Sequence, residues 1–228
     1  MTSIRKVMAA TAIGALTLVP LAACSSDDSS STTESTSSAA AETTESTPEP
    51  VAEVDDLSNG VSTAVLLDPG FTGALTTLGL TPGVIGTATL ADGSISFPIT
   101  GGDVKYWEPG TVDPYVQGEI MHDGSGLSLT AGDTVVELTD FDIDPGTSLL
   151  TGNVSVNGEV AAEDAVIFDL DGRTLNPLAT GPDNTAILQG TQVKISETAA
   201  GLLNDTFQTD AVTPGLLVGV ATITIATA

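Results

Sequence analysis

The chain has 228 residues, 41% hydrophobic and only 15% charged, with 30 Asp and Glu against five Lys and Arg. After position 23 the only Lys or Arg residues are Lys105, Arg173 and Lys194. Three scattered cations cannot build the basic patch that displaces counterions from nucleic acid, nor hold an anionic lipid surface by charge.

The chain opens on a short positive stretch, Arg5 and Lys6, followed by an apolar run from Ala9 to Leu21. That run has the length of a secretion signal core and is too short for a permanent membrane span. It ends in Leu21-Ala22-Ala23-Cys24, and Cys24 is the sole cysteine, without an intramolecular disulfide partner. The four residues resemble the lipobox of bacterial lipoproteins. The resemblance implies cleavage before Cys24, diacylglyceryl attachment to its sulfur, and retention at the outer face of the cytoplasmic membrane. Each buried lipid CH₂ contributes about 0.8 kcal/mol, so two acyl chains are enough to hold a soluble domain there. Residues 1–23 are thus expected to be a signal peptide.

Residues 24–56 are expected to be the lipidated cysteine and a disordered tether. From Ser25 to Asp56 the stretch holds no Leu, Ile or aromatic residue and is dominated by Ser, Thr, Glu, Ala and Pro. It cannot bury enough apolar surface to offset its ordering entropy. As a flexible coil it reaches about 30 Å, lifting the rest of the chain off the membrane.

From Leu57 to Ala228 the composition suits one domain. Asp68 is placed to cap a helix over 69–78, with Pro69 at its first position and Gly79 past its end; Phe71, Leu75 and Leu78 then share a face. Thr81-Pro82-Gly83 reads as a turn. Ile95, Phe97 and Ile99 alternate with polar residues, as do Leu127 and Leu129, the period of a half-buried strand. Between 133 and 144 the apolar parity switches from Val136 and Leu138 to Phe141 and Ile143, which predicts a β-bulge near Thr139-Asp140. Asn157-Gly158 predicts a two-residue hairpin, because a type I′ turn needs positive φ at both central residues. Ser196 is placed to cap a second helix over 197–207, turning Ala199, Leu202, Leu203 and Phe207 inward. Ile223 and Ile225 mark the last strand. Turn signals every 8 to 15 residues predict a mainly β fold, an antiparallel sandwich or barrel with one or two short helices.

Few residues offer chemistry. His122 is the only histidine; Asp123 and Ser125 lie beside it, but a triad is assembled from separate segments, and no Gly-x-Ser-x-Gly elbow occurs. Zinc normally draws on several His or Cys and is not expected. Asp140, Asp142 and Asp144 would share one strand face and make a candidate surface calcium site, though Pro145 and Thr151 occupy the positions where an EF-hand needs Gly and Glu. The bland alternative is a solvated acidic face that blunts edge pairing. Tyr106, Trp107 and Tyr115 form the main aromatic cluster, with Trp107 expected in the core rather than at a contact surface.

Three blocks, Phe97–Gly102, His122–Leu129 and Val135–Phe141, resemble those of uncharacterised exported bacterial β-rich domains. The run from Gly118 to Val156 is also similar to the second half of HtaA-type haem-binding domains, departing from their pattern at Met121. That resemblance implies haem held by a tyrosine, here Tyr115 or Tyr106, with His122 assisting. The leading expectation is a non-enzymatic, lipid-anchored binding or structural module of the cell envelope, without a resident cofactor. The alternatives are a haem or small-ligand binder and a cell-wall or sugar hydrolase; the last needs two carboxylates facing one cleft.

Overall fold

The structure is a computed structural model that describes residues 48–227. The signal segment, Cys24 and most of the tether lie outside the described residues. In chain order the strands are β1 (Ala52–Val54), β2 (Ser62–Leu67), β3 (Thr81–Gly86), β4 (Thr89–Ala91), β5 (Ser94–Pro98), β6 (Gly101–Tyr106), β7 (Val116–Ala131), β8 (Thr134–Asp144), β9 (Leu149–Val156), β10 (Glu159–Asp171), β11 (Ala179–Gly181), β12 (Thr185–Ile195) and β13 (Leu217–Ala226). Two helices, α1 (Pro69–Leu78) and α2 (Glu197–Phe207), interrupt them.

The expected sandwich or barrel is one curled antiparallel sheet, in the order β1-β6-β7-β8-β9-β10-β12-β13-β2-β5-β4, with β3 beside β7 and β11 beside β12. The curl is visible in contacts between strands far apart along that order. His122 on β7 meets Thr63 on β2, and the rings of Phe97 on β5 and Phe141 on β8 stand edge to face at 5.2 Å. The sheet's concave side is its core, and period-two alternation on each strand fills it.

The parity switch has the predicted cause. On β8 the register slips between Thr139 and Asp142, and Asp140 takes φ 53°. β7 carries a matching irregularity between His122 and Gly126. The paired bulges let Val136, Leu138, Phe141 and Ile143 all face the same concave side. Asp123-Gly124 therefore lies within a long strand rather than in a turn between strands.

Both helices form where their caps place them. The Asp68 carboxylate accepts from the amides of Gly70 and Phe71 at 2.7 and 3.3 Å, and Gly79 closes α1 at φ 67°. Ser196 Oγ accepts from the Ala199 amide at 3.0 Å and donates to the Val166 carbonyl at 2.6 Å, tying α2 to β10. The hairpin at Asn157-Gly158 has φ 52° and 82°.

Two expectations are corrected. Thr81-Pro82-Gly83 is not a turn but the start of β3, which pairs with β7 alone. An edge strand tolerates a proline that donates no ladder bond, and at Gly83 the Ser128 hydroxyl occupies the space a Cβ would take, 2.6 Å away. The tether also ends earlier than composition suggests. Ala52–Val54 pair with Tyr106–Val104 as the sheet's first edge, the Val51 amide donates to the Tyr106 carbonyl at 2.7 Å, and Trp107 Nε1 donates to the Pro48 carbonyl at 2.9 Å. Backbone hydrogen bonds, which composition does not report, bind this acidic stretch.

The two ends of the curl differ. Helices α1 and α2 cover the end that holds Leu129, Leu138 and Ile167, with Phe71, Ala199 and Leu203 packed over it. At the other end lie the β6–β7, β8–β9 and β10–β11 connections, the last with a single 3₁₀ turn at Gly172–Thr174, and no α-helix covers it among the described residues.

Candidate functional site

At that uncovered end the curled sheet encloses a cavity of about 520 Å³. Its wall is built by inward residues of many strands, among them Val65, Phe97, Ile120, Phe141, Ile143, Leu150, Phe168, Leu188, Val193 and Ala221. Three exposed residues mark the mouth, each on a different connection: Asp113 between β6 and β7, Ser148 between β8 and β9, and Arg173 after β10. Antiparallel hairpins place those three connections at the same end of the sheet.

The inner wall offers polar groups at His122 and Thr63, and these satisfy each other. His122 is 1% exposed. Its Nδ1 lies 3.1 Å from the Phe141 carbonyl and its Nε2 2.8 Å from Thr63 Oγ1. A carbonyl can only accept, so Nδ1 carries the proton and Nε2 accepts from the Thr63 hydroxyl. Burial is the main cause that pushes the His122 pKa down to about 4, outweighing the Phe141 carbonyl and the nearby Asp123. The imidazole is therefore neutral at physiological pH, with both nitrogens engaged. Ser125, also fully buried, donates to the His122 carbonyl at 2.9 Å and does not face the imidazole nitrogens. The assisting role implied for His122 has no free nitrogen to serve it.

The expected aromatic cluster holds together, but one member alone meets the cavity. Tyr115 lines the cavity beside Asp113 and Pro114. Tyr106 and Trp107 are buried and lie outside the cavity wall. Tyr106 stands edge to face against Tyr115 at 5.9 Å, and Trp107 is tied to Pro48, the core position expected for it. Burial raises the Tyr115 pKa further above the ordinary phenol value, with Tyr106 adding to the shift. Of the two tyrosines proposed as a haem ligand, only Tyr115 is placed to meet a bound molecule.

The three aspartates do not converge on a cation. Asp140, at the bulge, accepts from the Gly124 amide at 2.9 Å, Thr139 Oγ1 at 3.0 Å and Asn153 Nδ2 at 3.3 Å. Asp144 closes the following turn by accepting from Thr147. Asp142 has a buried Oδ1 that finds no hydrogen-bond partner; burial, then Glu119, with Asp144 and Asp123 adding, raises its pKa to about 7. The positive φ at Asp140 breaks the strand alternation that would have put all three on one face. Among the described residues no three His, Cys, Asp or Glu side chains gather to hold a metal ion. The cavity wall likewise carries a single carboxylate, Asp113, not the facing pair a glycoside hydrolase requires.

One group at the mouth was not anticipated. Asp171 accepts from Arg173 Nε at 2.8 Å and Nη2 at 2.5 Å, and from Lys194 Nζ at 2.7 Å. The two cations hold the Asp171 carboxyl far below the usual carboxylate range, Arg173 contributing most. The scarcity of basic residues was the available signal: two of the three in the domain meet here.

The chain is similar in fold to the C-terminal domain of HtaA from Corynebacterium glutamicum, with 13% identity, 76% of this chain and 97% of that chain covered, and a TM-score of 0.51. A domain-swapped dimer variant of the same domain matches at 14% identity over 69% and 90% of the two chains, with a TM-score of 0.45. The heme binding protein HtaB from the same organism matches at 8% identity over 77% and 96%, with a TM-score of 0.42. No protein-family model and no curated protein matches the chain.

Proposed function

We propose that this domain is a non-enzymatic binding module that takes an apolar small molecule into the uncovered end of its curled sheet. The observation that carries the reading is the cavity itself. Its volume falls in the usual range for small-ligand sites, about 300–1,000 Å³, its wall is apolar, and the polar pair within it is already mutually bonded. Hydrogen-bonding groups free to meet a ligand lie at the mouth, so specificity is exercised there. The neutral, doubly engaged His122 is placed to seal the floor rather than to move protons. The lipobox adds a location: a lipid on Cys24 would hold the module outside the cytoplasmic membrane, on a leash ending where Pro48 meets Trp107.

Haem is the narrower reading. It is favoured by Tyr115 on the cavity wall, by the resemblance of Gly118–Val156 to HtaA-type domains, and by the fold shared with the HtaA C-terminal domain. Titration of the full chain with an environment-sensitive apolar fluorophore is expected to show saturable enhancement, abolished by Ala221→Phe, which fills the cavity. Haemin tests the narrower reading: a shifted Soret band lost in Tyr115→Phe supports it. An unchanged haemin spectrum beside a saturable fluorophore signal rejects haem and keeps the binding module. Absence of both signals rejects the binding module.

A further inference from the structure

We propose that Arg173 is a head-group site for a long-chain carboxylate whose acyl chain lies in the cavity, an assignment that rests on the binding reading above. The cavity wall divides by polarity along its depth. Towards the floor, Phe97, Ile120 and Phe141 surround a histidine with no nitrogen left to ligate or donate. A polar group carried to that depth would lose its water without replacement, so the inner part of the ligand is hydrocarbon. An iron-centred ring would find no ligand there, whereas an unbranched chain needs none.

At the mouth Arg173 is held ready. Its Nε and Nη2 donate to Asp171, which fixes the plane of the guanidinium, and Lys194 shares the same carboxylate. Nη1 has no hydrogen bond among the described residues, and the side chain is 85% exposed. An oriented guanidinium with free N–H groups matches a carboxylate, and less of its freedom is lost on binding than with an untethered side chain. Against a formal charge of −25 for the whole chain, an anion has few other places to dock. Lys105, the remaining domain cation, pairs with Glu53 on the edge strand and is not on the cavity wall. The acids near the Arg173 group are Asp113 on the same rim and Asp169, opposite Lys194 in the strand register. Asp113 opposes an incoming anion directly. Arg173 thus selects for the anionic head and Asp113 limits its affinity.

The test uses the full chain carrying Cys24→Ser, so that no acyl group of its own competes, and a conjugated polyene C18 fatty acid whose fluorescence rises in apolar surroundings. The acid is expected to bind more tightly than its methyl ester. Arg173→Gln should weaken the acid about two- to fivefold and leave the ester unchanged, as expected for an ion pair at an exposed rim. Asp113→Asn should tighten the acid by about twofold and again spare the ester. Equal binding of acid and ester, or an Arg173→Gln variant that binds the acid normally, overturns the head-group assignment while leaving the apolar binder intact. Binding of haemin with no binding of either C18 probe also overturns it. Failure of the fluorophore, both C18 probes and haemin strikes instead at the binding reading.

Discussion

The two ends of the curled sheet are built from the same strands and by the same alternation, yet one is nearly filled, leaving about 40 Å³, and the other opens into a cavity of about 520 Å³. At the covered end Phe71 of α1 and Ala199 and Leu203 of α2 fill the concavity against Leu129, Leu138 and Ile167. At the uncovered end Val65, Phe141, Ile143 and Leu150 line the same concave surface, with only the 3₁₀ turn at Gly172–Thr174 on the rim. The bulges on β7 and β8 fall between the two regions. The contrast teaches that a cavity here needs no special strand chemistry. It arises where a concave apolar sheet is left without a helix to fill it, and the scaffold's stability is supplied from the other end.

The largest effect expected from this contrast is on packing. Leu203→Ala, in the covered end, should cost about 2–5 kcal/mol, and Ala200→Leu beside it about 1–3 kcal/mol from overpacking. Ala221→Leu, on the cavity wall, should change stability by less than about 1 kcal/mol, because space already exists there. Urea unfolding of the three variants measures the difference. Equal penalties for the two Ala→Leu changes would mean the cavity is not empty room.

The boundary between the ends should respond to acid. His122 accepts a proton at about pH 4 in the folded chain and at about 6.5 as an exposed imidazole. The unfolded chain therefore binds more protons between those values, and stability is full above pH 6.5 and falls as pH drops towards 4. The loss is about 3 kcal/mol. Comparing urea midpoints at pH 7.5 and 4.5 for the parent and His122→Gln isolates this contribution; a slope shared by both would assign it to carboxylates instead.

Thr63→Val should cost about 1–3 kcal/mol at neutral pH, since it leaves His122 Nε2 buried without its donor. The volume is nearly conserved, so a cavity cannot explain the loss. Protonated Nε2 would lack an acceptor in the same variant, because a hydroxyl accepts as well as donates, so the penalty should persist towards pH 4. Thermal melts across that range check both statements.

The smallest effect concerns the outer face of the hollow end. Asp142 keeps its proton to about pH 7 when folded, against 3.8 when exposed. Its contribution is present below pH 3.8 and is lost as pH rises through 7, opposite in direction to that of His122. Asp142→Asn should raise stability at pH 8, by about 1 kcal/mol or less given its partial exposure, and leave it unchanged at pH 3.5. An increase of equal size at both values would point to packing rather than to charge.

Much of the local architecture was legible because its causes are local. Asp68 with Pro69 and Gly79, Ser196, and Asn157-Gly158 act through their own hydrogen bonds and φ values within a few residues. The parity change around Thr139-Asp140 reported a bulge because side-chain period is a property of one strand. The edge strand at Ala52–Val54 was not legible, since its partner lies some fifty residues away and is joined to it by backbone bonds and one Lys105–Glu53 ion pair. Nor was β3, whose Pro82 and Gly83 read as a turn until an edge position made room for them.

The site divides in the same way. Tyr115 and His122 could be singled out as scarce residue types, but only the fold showed that one meets the cavity as a free side chain and the other is engaged at both nitrogens. Which of the contacting aromatics reaches the cavity, the break in the aspartate run at Asp140, and the meeting of Arg173 with Lys194 through Asp171 all depended on strand register and on the curl. Sequence alone determined the strand-forming pattern, the caps and the acidic balance, because each is written in neighbouring residues. Tertiary structure alone decided that the sheet closes on itself far enough to bring β2 to β7, and that two helices fill one end and not the other. Hollow space is a relation between distant surfaces, and no local run of residues encodes it.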